Sequence, residues 1–250
     1  MTAATTNALV SRAVVLDETT CAAIAARVHA LRTHWVARDE AAFHTLGAAL
    51  YLDRPTAETR ERFGLPAPGP ARYATLARRS NALLETHFAD LYPAFAAALA
   101  GVLDAEVRYA EDRARPGFHV FEHHPSYARQ AAHVPHFDRQ YECIDWPRAA
   151  SIDFTAAISV TLPIRLPARG GGLRVWDLNL FEVQALGPAA ARDRARQAPS
   201  CVHRYVPGEL VCHRGHLLHQ IQPWPSRPGD ERITLQAHGL FYDGAWQLYW

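Results

Sequence analysis

The sequence predicts an α+β protein, a jelly-roll β core at residues 105–250 with a mainly helical part, residues 1–104, packed on its outside as a single domain. Three observations predict it. Before residue 105 apolar residues recur at helical intervals, whereas after it "EVRYA", "GFHVFEH", "FTAAISVTLPI", "GGLRVWDL", "CVHRYV", "GELVCHR", "HLLHQIQPW" and "RITLQAHGLFYD" are short, β-branched or aromatic and separated by Gly, Pro or charge. Strands so spaced suit a sandwich or barrel better than βαβ units. The chain, 250 residues and 49% hydrophobic, is also long enough to bury a full core.

The first dozen residues, polar and small, are expected to fray. Asp17 is a candidate N-cap, and Ile24, Val28, Leu31 and Trp35 follow at intervals of four, three and four, predicting one amphipathic helix to about Ala37. A second helix is expected from Phe43 to Leu52. "GLPAPGP" (64–70) is too rich in Pro and Gly to continue it and reads as a loop. Helical spacing resumes at 71–88, and another helix is expected from Pro93, a residue favoured in a first helical turn. The Ala- and Arg-rich stretch 185–199 reads as a loop or short helix. "GAWQLYW", with Trp246, Leu248 and Trp250 alternating, reads as a last strand that buries aromatic area in the core.

Composition narrows the function. All 26 basic residues are arginine, which excludes a Schiff-base lysine, pyridoxal phosphate attachment and a Walker lysine. A net charge of +1 gives no electrostatic footprint for nucleic acid or an anionic membrane. Cys21, Cys143, Cys201 and Cys212 form no CxxC pair, no leader is evident, and no apolar run approaches the length of a membrane span. The expectation is a soluble cytoplasmic protein in a reducing setting. There is no G-x-S-x-G, so serine hydrolase chemistry has no support.

Among 14 histidines, most take structural readings. His29, His34, His44 and His87 fall on presumed helices, and His123 and His124 flank a turn. "HVPHFDRQY" (133–141) differs, because His136 and Asp138 are two apart and would share one side of a strand. His-x-Asp alone is weak evidence. It gains weight from a second histidine on a later strand, for which His213, His216 and His219 are candidates, and from an arginine beyond. Two imidazoles and a carboxylate suit iron(II), and no thiolates lie nearby to suggest structural zinc. His133 is three residues from His136, the wrong strand phase to join it, and Phe137 should point away into the packing.

Residues 207–234 resemble the C-terminal part of the 2-oxoglutarate/iron(II)-dependent dioxygenase superfamily, with its prolyl-hydroxylase-like members. The matching elements are Pro207-Gly208-Glu209, His219-Gln220-Ile221-Gln222-Pro223 and Arg232-Ile233-Thr234, and "GGGLRVWD" (170–177) resembles the glycine-rich approach to a middle strand. The resemblance covers roughly residues 105–245 and implies a double-stranded β-helix, cupin-like core. It implies His136, Asp138 and His219, the last 83 residues after His136, as iron(II) ligands, and Arg232 with Thr234 as the site for the far carboxylate of 2-oxoglutarate. The structural alternative for Arg232 is a surface ion pair with Asp230 or Glu231.

The reaction so implied consumes dioxygen and 2-oxoglutarate to hydroxylate an unactivated C–H bond of a small molecule, such as an amino acid or a peptide-derived natural product. Halogenating relatives carry Gly or Ala in place of the carboxylate, so Asp138 predicts oxidation without halide. His119, Trp176 and Asp177 are substrate-side candidates, and residues 139–148 could cover a substrate. Arg78 and Arg79 fit solvated surface better than a substrate carboxylate site. Two alternatives stand beside this reading. One is a jelly-roll metalloprotein of other chemistry (a cupin-type isomerase or a 2-oxoglutarate-independent dioxygenase), and the other is a non-catalytic binding module.

Overall fold

The computed structural model describes residues 9–39, 42–54, 70–128, 134–146 and 152–250. The strands among them are β1 (Val10–Val14), β2 (Val36–Ala37), β3 (Phe43–Leu46), β4 (Val107–Tyr109), β5 (Gly117–Phe121), β6 (Ile158–Arg165), β7 (Leu173–Asn179), β8 (Ser200–His203), β9 (Glu209–Arg214), β10 (Leu217–Ile221), β11 (Arg232–Tyr242) and β12 (Ala245–Tyr249). They form two sheets. The larger runs β1-β9-β6-β11-β5-β3-β2, with β12 bridging β11 and β4, and the smaller runs β10-β7-β8. Helices Glu18–Ala30, Pro70–Phe88 and Leu91–Leu103 precede most of the strands in sequence. The architecture is the expected α+β, jelly-roll one.

Strand alternation explains the layering. On β6 and β11, Val160, Leu162, Ile164, Ile233, Leu235 and Ala237 join one apolar cluster with Ile24 and Val28 of helix Glu18–Ala30, Leu84 and Phe88 of Pro70–Phe88, and Phe95 and Leu99 of Leu91–Leu103. Apart from Pro163, the residues alternating with them are polar: Ser159, Thr161, Arg232, Thr234, Gln236 and His238. These face the interior between the sheets. The smaller sheet offers that interior Leu173, Val175 and Leu217, which cluster with Tyr205 and Val211. Its other face carries Leu178 and Leu218, packed with Val183, Ala198 and the apolar side of helix Pro188–Gln197.

Several N-terminal elements depart from expectation. The dozen first residues do not all fray: Val10–Val14 pairs with β9 from Val10↔His213 to Val14↔Glu209. Asp17 does cap its helix, accepting from the Thr20 N–H at 2.7 Å. That helix stops at Ala30, however, well short of Ala37. The Trp35 indole N–H takes the Val28 carbonyl at 3.0 Å, and Val36–Ala37 turns away to pair with β3.

The helix expected at 43–52 is strand β3 followed by the single turn Leu50–Asp53. Phe43 to Leu46 is aromatic and β-branched enough to extend, and Gly47, at φ +117°, breaks the run. His44 is therefore on a strand and His34 in a 3-10 turn. The helix expected from Pro93 begins at Leu91, which places the proline in its first turn. The stretch 185–199 contains helix Pro188–Gln197. β12 forms as expected, with Trp250 fully buried over Gly117, where an added Cβ would stand 1.9 Å from the indole. Of the loop expected at 64–70, Pro70 instead begins helix Pro70–Phe88, and residues 64–69 lie outside the described residues, as do His133 and residues 147–148 of the expected covering segment. No helix among the described residues is long and apolar enough to cross a membrane.

Candidate metal centre

Backbone pairing first brings the distant histidines together. His136 and His219 form an isolated antiparallel bridge, each amide N–H donating to the other's carbonyl at 3.0 Å. This adds the 136 segment to the free edge of β10. The Asp138 N–H then donates to Gly215 O at 2.8 Å, fixing the carboxylate two residues on. Phe137, between them, packs with the outer cluster of Leu178, Val183 and Leu218.

The side chains converge as a result. Ligand atoms of His136, Asp138 and His219 all lie within 4.8 Å of one another. His219 Nε2 is 3.3 Å from Asp138 Oδ2, and His136 Nε2 is 3.7 Å from Oδ1. Each histidine has its Nδ1 against a carbonyl, Val134 O for His136 and Leu217 O for His219, both at 2.8 Å. A carbonyl can only accept, so both rings carry a proton on Nδ1, which leaves Nε2 as the atom that a metal would take. That is the tautomer a metal ligand needs.

Asp138 is buried, and its Oδ1 accepts from Gln140 Nε2 at 2.8 Å while its Oδ2 accepts from the Ser159 hydroxyl. Burial opposes its ionisation, but His219 and His238 outweigh that and hold its pKa well below the usual carboxylate range. Burial likewise opposes a charge on His219, and the facing Asp138 carboxylate reverses the balance and raises its pKa. At His136, burial and then the neighbouring His219 push the pKa down to about 4, so this ring is neutral near pH 7.

The other candidates fall elsewhere. His213 lies tilted beside His219 at 4.6 Å between ring centroids, with Nδ1 on Arg214 O, and burial holds its pKa down at about 3. His216 turns to the Tyr141 hydroxyl, 2.9 Å away, with the edge of Phe181 against it. Neither is part of the ligand cluster.

Arg232 is fully buried, which removes the surface ion-pair alternative. Glu231 is instead paired with Arg165 at 2.7 Å and His29 at 2.8 Å. The Arg232 guanidinium lies between the rings of Phe121 and Tyr205, 5.6 and 5.5 Å from their centroids. Nη1 donates to Thr234 Oγ1 at 3.3 Å and Nε to Gly171 O at 3.4 Å, while Nη2 has no hydrogen-bond partner. Burial lowers its pKa. A guanidinium with an orphaned N–H and no carboxylate is costly unless a ligand supplies the anion.

His119 stands opposite Thr234 on β11 and Thr45 on β3, its Nε2 2.8 Å from the Tyr51 hydroxyl. Val175 is the partner of His219 in the smaller sheet, so Trp176 takes the opposite face and packs with Leu178 and Leu218. Asp177 is half-buried, its backbone N–H on Pro199 O. Within the expected covering segment, Gln140–Cys143 is a 3-10 turn, and Tyr141 and Trp146 pack around Phe154. Arg78 and Arg79 are exposed, as their surface reading expected.

Sequence reasoning missed Ser159, Gln236, His238, Gln140, Tyr51 and Tyr205. The first three were accessible from the i, i+2 polar series "R-I-T-L-Q-A-H" on β11 and "S-V-T" on β6. The other three lie outside any strand repeat and carry no local signal.

No protein-family model matches the sequence, and no curated protein matches it. Solved structures do. An N-substituted L-amino acid dioxygenase from Burkholderia ambifaria superposes with TM-score 0.51 at 19% identity, over 90% of this chain and 91% of that one. The non-heme alpha ketoglutarate dependent epimerase SnoN from nogalamycin biosynthesis gives 0.51 at 16% identity, over 94% and 79%. The carbocyclase SnoK from the same biosynthesis gives 0.50 at 14%, over 96% and 79%. At these identities the likeness is one of fold. The shared fold is the one that the sequence resemblance implied, and within it His136, Asp138 and His219 form a cluster that could hold a metal ion.

Proposed function

We propose that this protein is a non-haem iron(II), 2-oxoglutarate-dependent oxygenase that hydroxylates an unactivated C–H bond of a small molecule, an amino acid or a peptide-derived natural product. His136, Asp138 and His219 are the iron ligands, and Arg232 with Thr234 binds the far carboxylate of 2-oxoglutarate. The observation that carries the reading is the buried Arg232, whose Nη2 lacks a partner on the same interior face as the triad's supports. A cupin-type isomerase, a 2-oxoglutarate-independent dioxygenase or a bare binding module does not need that cation to hold a co-substrate.

The donor set fits iron(II): two neutral imidazoles and one carboxylate leave half of a six-coordinate ion open. Bound iron(II) and 2-oxoglutarate would supply oxidising power from dioxygen, with 2-oxoglutarate leaving as succinate and carbon dioxide. The chain's own residues do the rest. Val134 O and Leu217 O fix the ring tautomers, the Arg232 fork orients a carboxylate by charge-assisted hydrogen bonds, and Phe121 and Tyr205 keep water from it.

Asp138 occupies the position that a halide would need, which favours oxygen insertion over halogenation. The similar structures include a carbocyclase and an epimerase, so hydroxylation rests on the simplest outcome of such a site. The dioxygenase acting on N-substituted L-amino acids supports an amino-acid-like substrate. His119, presented with Tyr51, and Asp177 are the substrate-side residues we retain. Trp176 faces away and is not retained. We place the protein in the cytoplasm, where iron(II) persists. We also treat residues 1–250 as one working domain, since the N-terminal helices share a core with β6 and β11.

Adding iron(II) and 2-oxoglutarate to apo-protein without oxygen should produce a visible metal-to-ligand charge-transfer band. The band should vanish in His219→Ala. A wild-type protein that shows none, or a band indifferent to His219→Ala, would end the proposal. Succinate release against amino acids, N-substituted amino acids and peptides then identifies the substrate class.

A further inference from the structure

Asp138 is held more firmly than ligation alone requires. Besides Gln140 on Oδ1, its Oδ2 receives the Ser159 hydroxyl, and Ser159 Oγ is 3.3 Å from His238 Nδ1. That nitrogen is itself 3.7 Å from Oδ2. The direction of the chain follows from donor and acceptor chemistry. A carboxylate only accepts, so the Ser159 O–H points to Asp138 and the serine lone pair faces His238. His238 therefore donates from Nδ1, and the contacts run His238 to Ser159 to Asp138.

The chain is built into the sheet. Ser159 and His238 are cross-strand partners on β6 and β11, and both are buried. Tyr249, paired with His238 on β12, lays its ring 6.0 Å away. Behind the carboxylate, a Cβ on Gly215 would lie 3.2 Å from Ser159 Oγ and 3.4 Å from the Asp138 Cβ. Gly215 thus backs closely onto both side chains, with little space between its backbone and the Ser159 hydroxyl.

We infer that Ser159 and His238 are positioning residues that restrict Asp138 to ligation through one oxygen, so that the metal keeps three positions for co-substrate and dioxygen. This rests on the iron reading given above. A carboxylate with Oδ2 free can swing to chelate with both oxygens and consume a fourth position. Committing Oδ2 to a hydroxyl backed by an imidazole removes that option.

The test compares wild type, Ser159→Ala, Ser159→Thr, His238→Phe and the Ser159→Ala/His238→Phe pair by anaerobic iron(II) titration. The visible d–d spectrum of the cobalt(II) forms reports coordination. Ser159→Ala should weaken iron(II) binding about 10–100-fold, the usual cost of losing a ligand's supporting hydrogen bond, and should alter the cobalt(II) spectrum. Ser159→Thr should restore both. His238→Phe should move both the same way by a smaller factor, and the double variant should resemble Ser159→Ala, because the two residues act as one chain.

Wild-type iron affinity and cobalt(II) spectrum in Ser159→Ala would overturn the inference, and so would a lowered melting temperature with neither metal readout moved. If Ser159→Ala does not fold, an unchanged cobalt(II) spectrum in His238→Phe overturns it and an altered one supports it. Wild-type protein that takes up no iron(II) removes the iron reading and this inference with it. A wild-type charge-transfer band with unmoved variants removes this inference alone.

Discussion

The two faces of β6 and β11 are opposite in chemistry although the same strands carry both. Val160, Leu162, Ile233, Leu235 and Ala237 lie against the N-terminal helices and contribute only area and shape. Their immediate neighbours Ser159, Thr161, Arg232, Thr234 and His238 are equally buried yet carry hydroxyls, an imidazole and a full charge. One face stabilises the fold, and the other holds groups that folding alone would not place there. An apolar layer of helices lets the same strands tolerate that polar interior.

Substitutions on each face should separate these roles. The largest effect is expected at Asp138→Ala: loss of iron(II) binding beyond the ~100-fold typical of supporting residues, read by anaerobic titration, with the fold retained by circular dichroism. Retained iron binding would erase the distinction at its centre. Next, Arg232→Leu should weaken 2-oxoglutarate by about 2–5 kcal/mol, the cost of truncating one partner of a buried charge pair. In the absence of 2-oxoglutarate the same variant should melt no lower than wild type, since it removes a buried charge that lacks a counter-ion. A drop in apo-protein melting temperature would mean that Arg232 serves the fold.

On the helix face the signs invert. Leu235→Ala should cost about 2–5 kcal/mol of unfolding free energy by denaturant titration, while the charge-transfer band keeps its position. A displaced band would show that the two faces are coupled through the strand. The smallest effect is expected outside both faces, at the partly exposed Arg12–Glu209 pair that ties β1 to β9. Arg12→Ala should change stability by about 0–1 kcal/mol and leave iron and 2-oxoglutarate binding untouched.

The parts legible in the sequence were those governed by short-range repeats. Alternating apolar residues predicted the strands after residue 105, and the His-x-Asp spacing put two donors on one side of the chain. The N-terminal half was read less well. Phe43–Leu46 became a strand because an edge of β5 was available to it, and Val10–Val14 because β9 was. Propensity cannot foresee an open edge. The helix that stopped at Ala30 did so partly through Trp35, which spends its indole N–H on a carbonyl of that helix.

In the site, His213, His216 and His219 were distinguishable only by resemblance at the level of residues. The structure separates them by where each Nε2 and Nδ1 is directed: His219 into the cluster, His216 to Tyr141, and His213 alongside. Ser159 and His238 could have been suspected from alternate polar residues in otherwise apolar strands. Gln140, Tyr51 and Tyr205 could not, because turns and loops impose no period on which side chains face inward.

By itself, then, the sequence determined which chemistry was possible: no lysine for covalent catalysis, imidazole and carboxylate for a borderline metal, and an arginine for a carboxylate. Those are properties of functional groups and survive in any fold. Tertiary structure decided which of those groups meet. A residue's partners across a sheet depend on register with strands far away in sequence: β6 and β11 set Ser159 beside His238, and the bridge between His136 and His219 brings Asp138 to them.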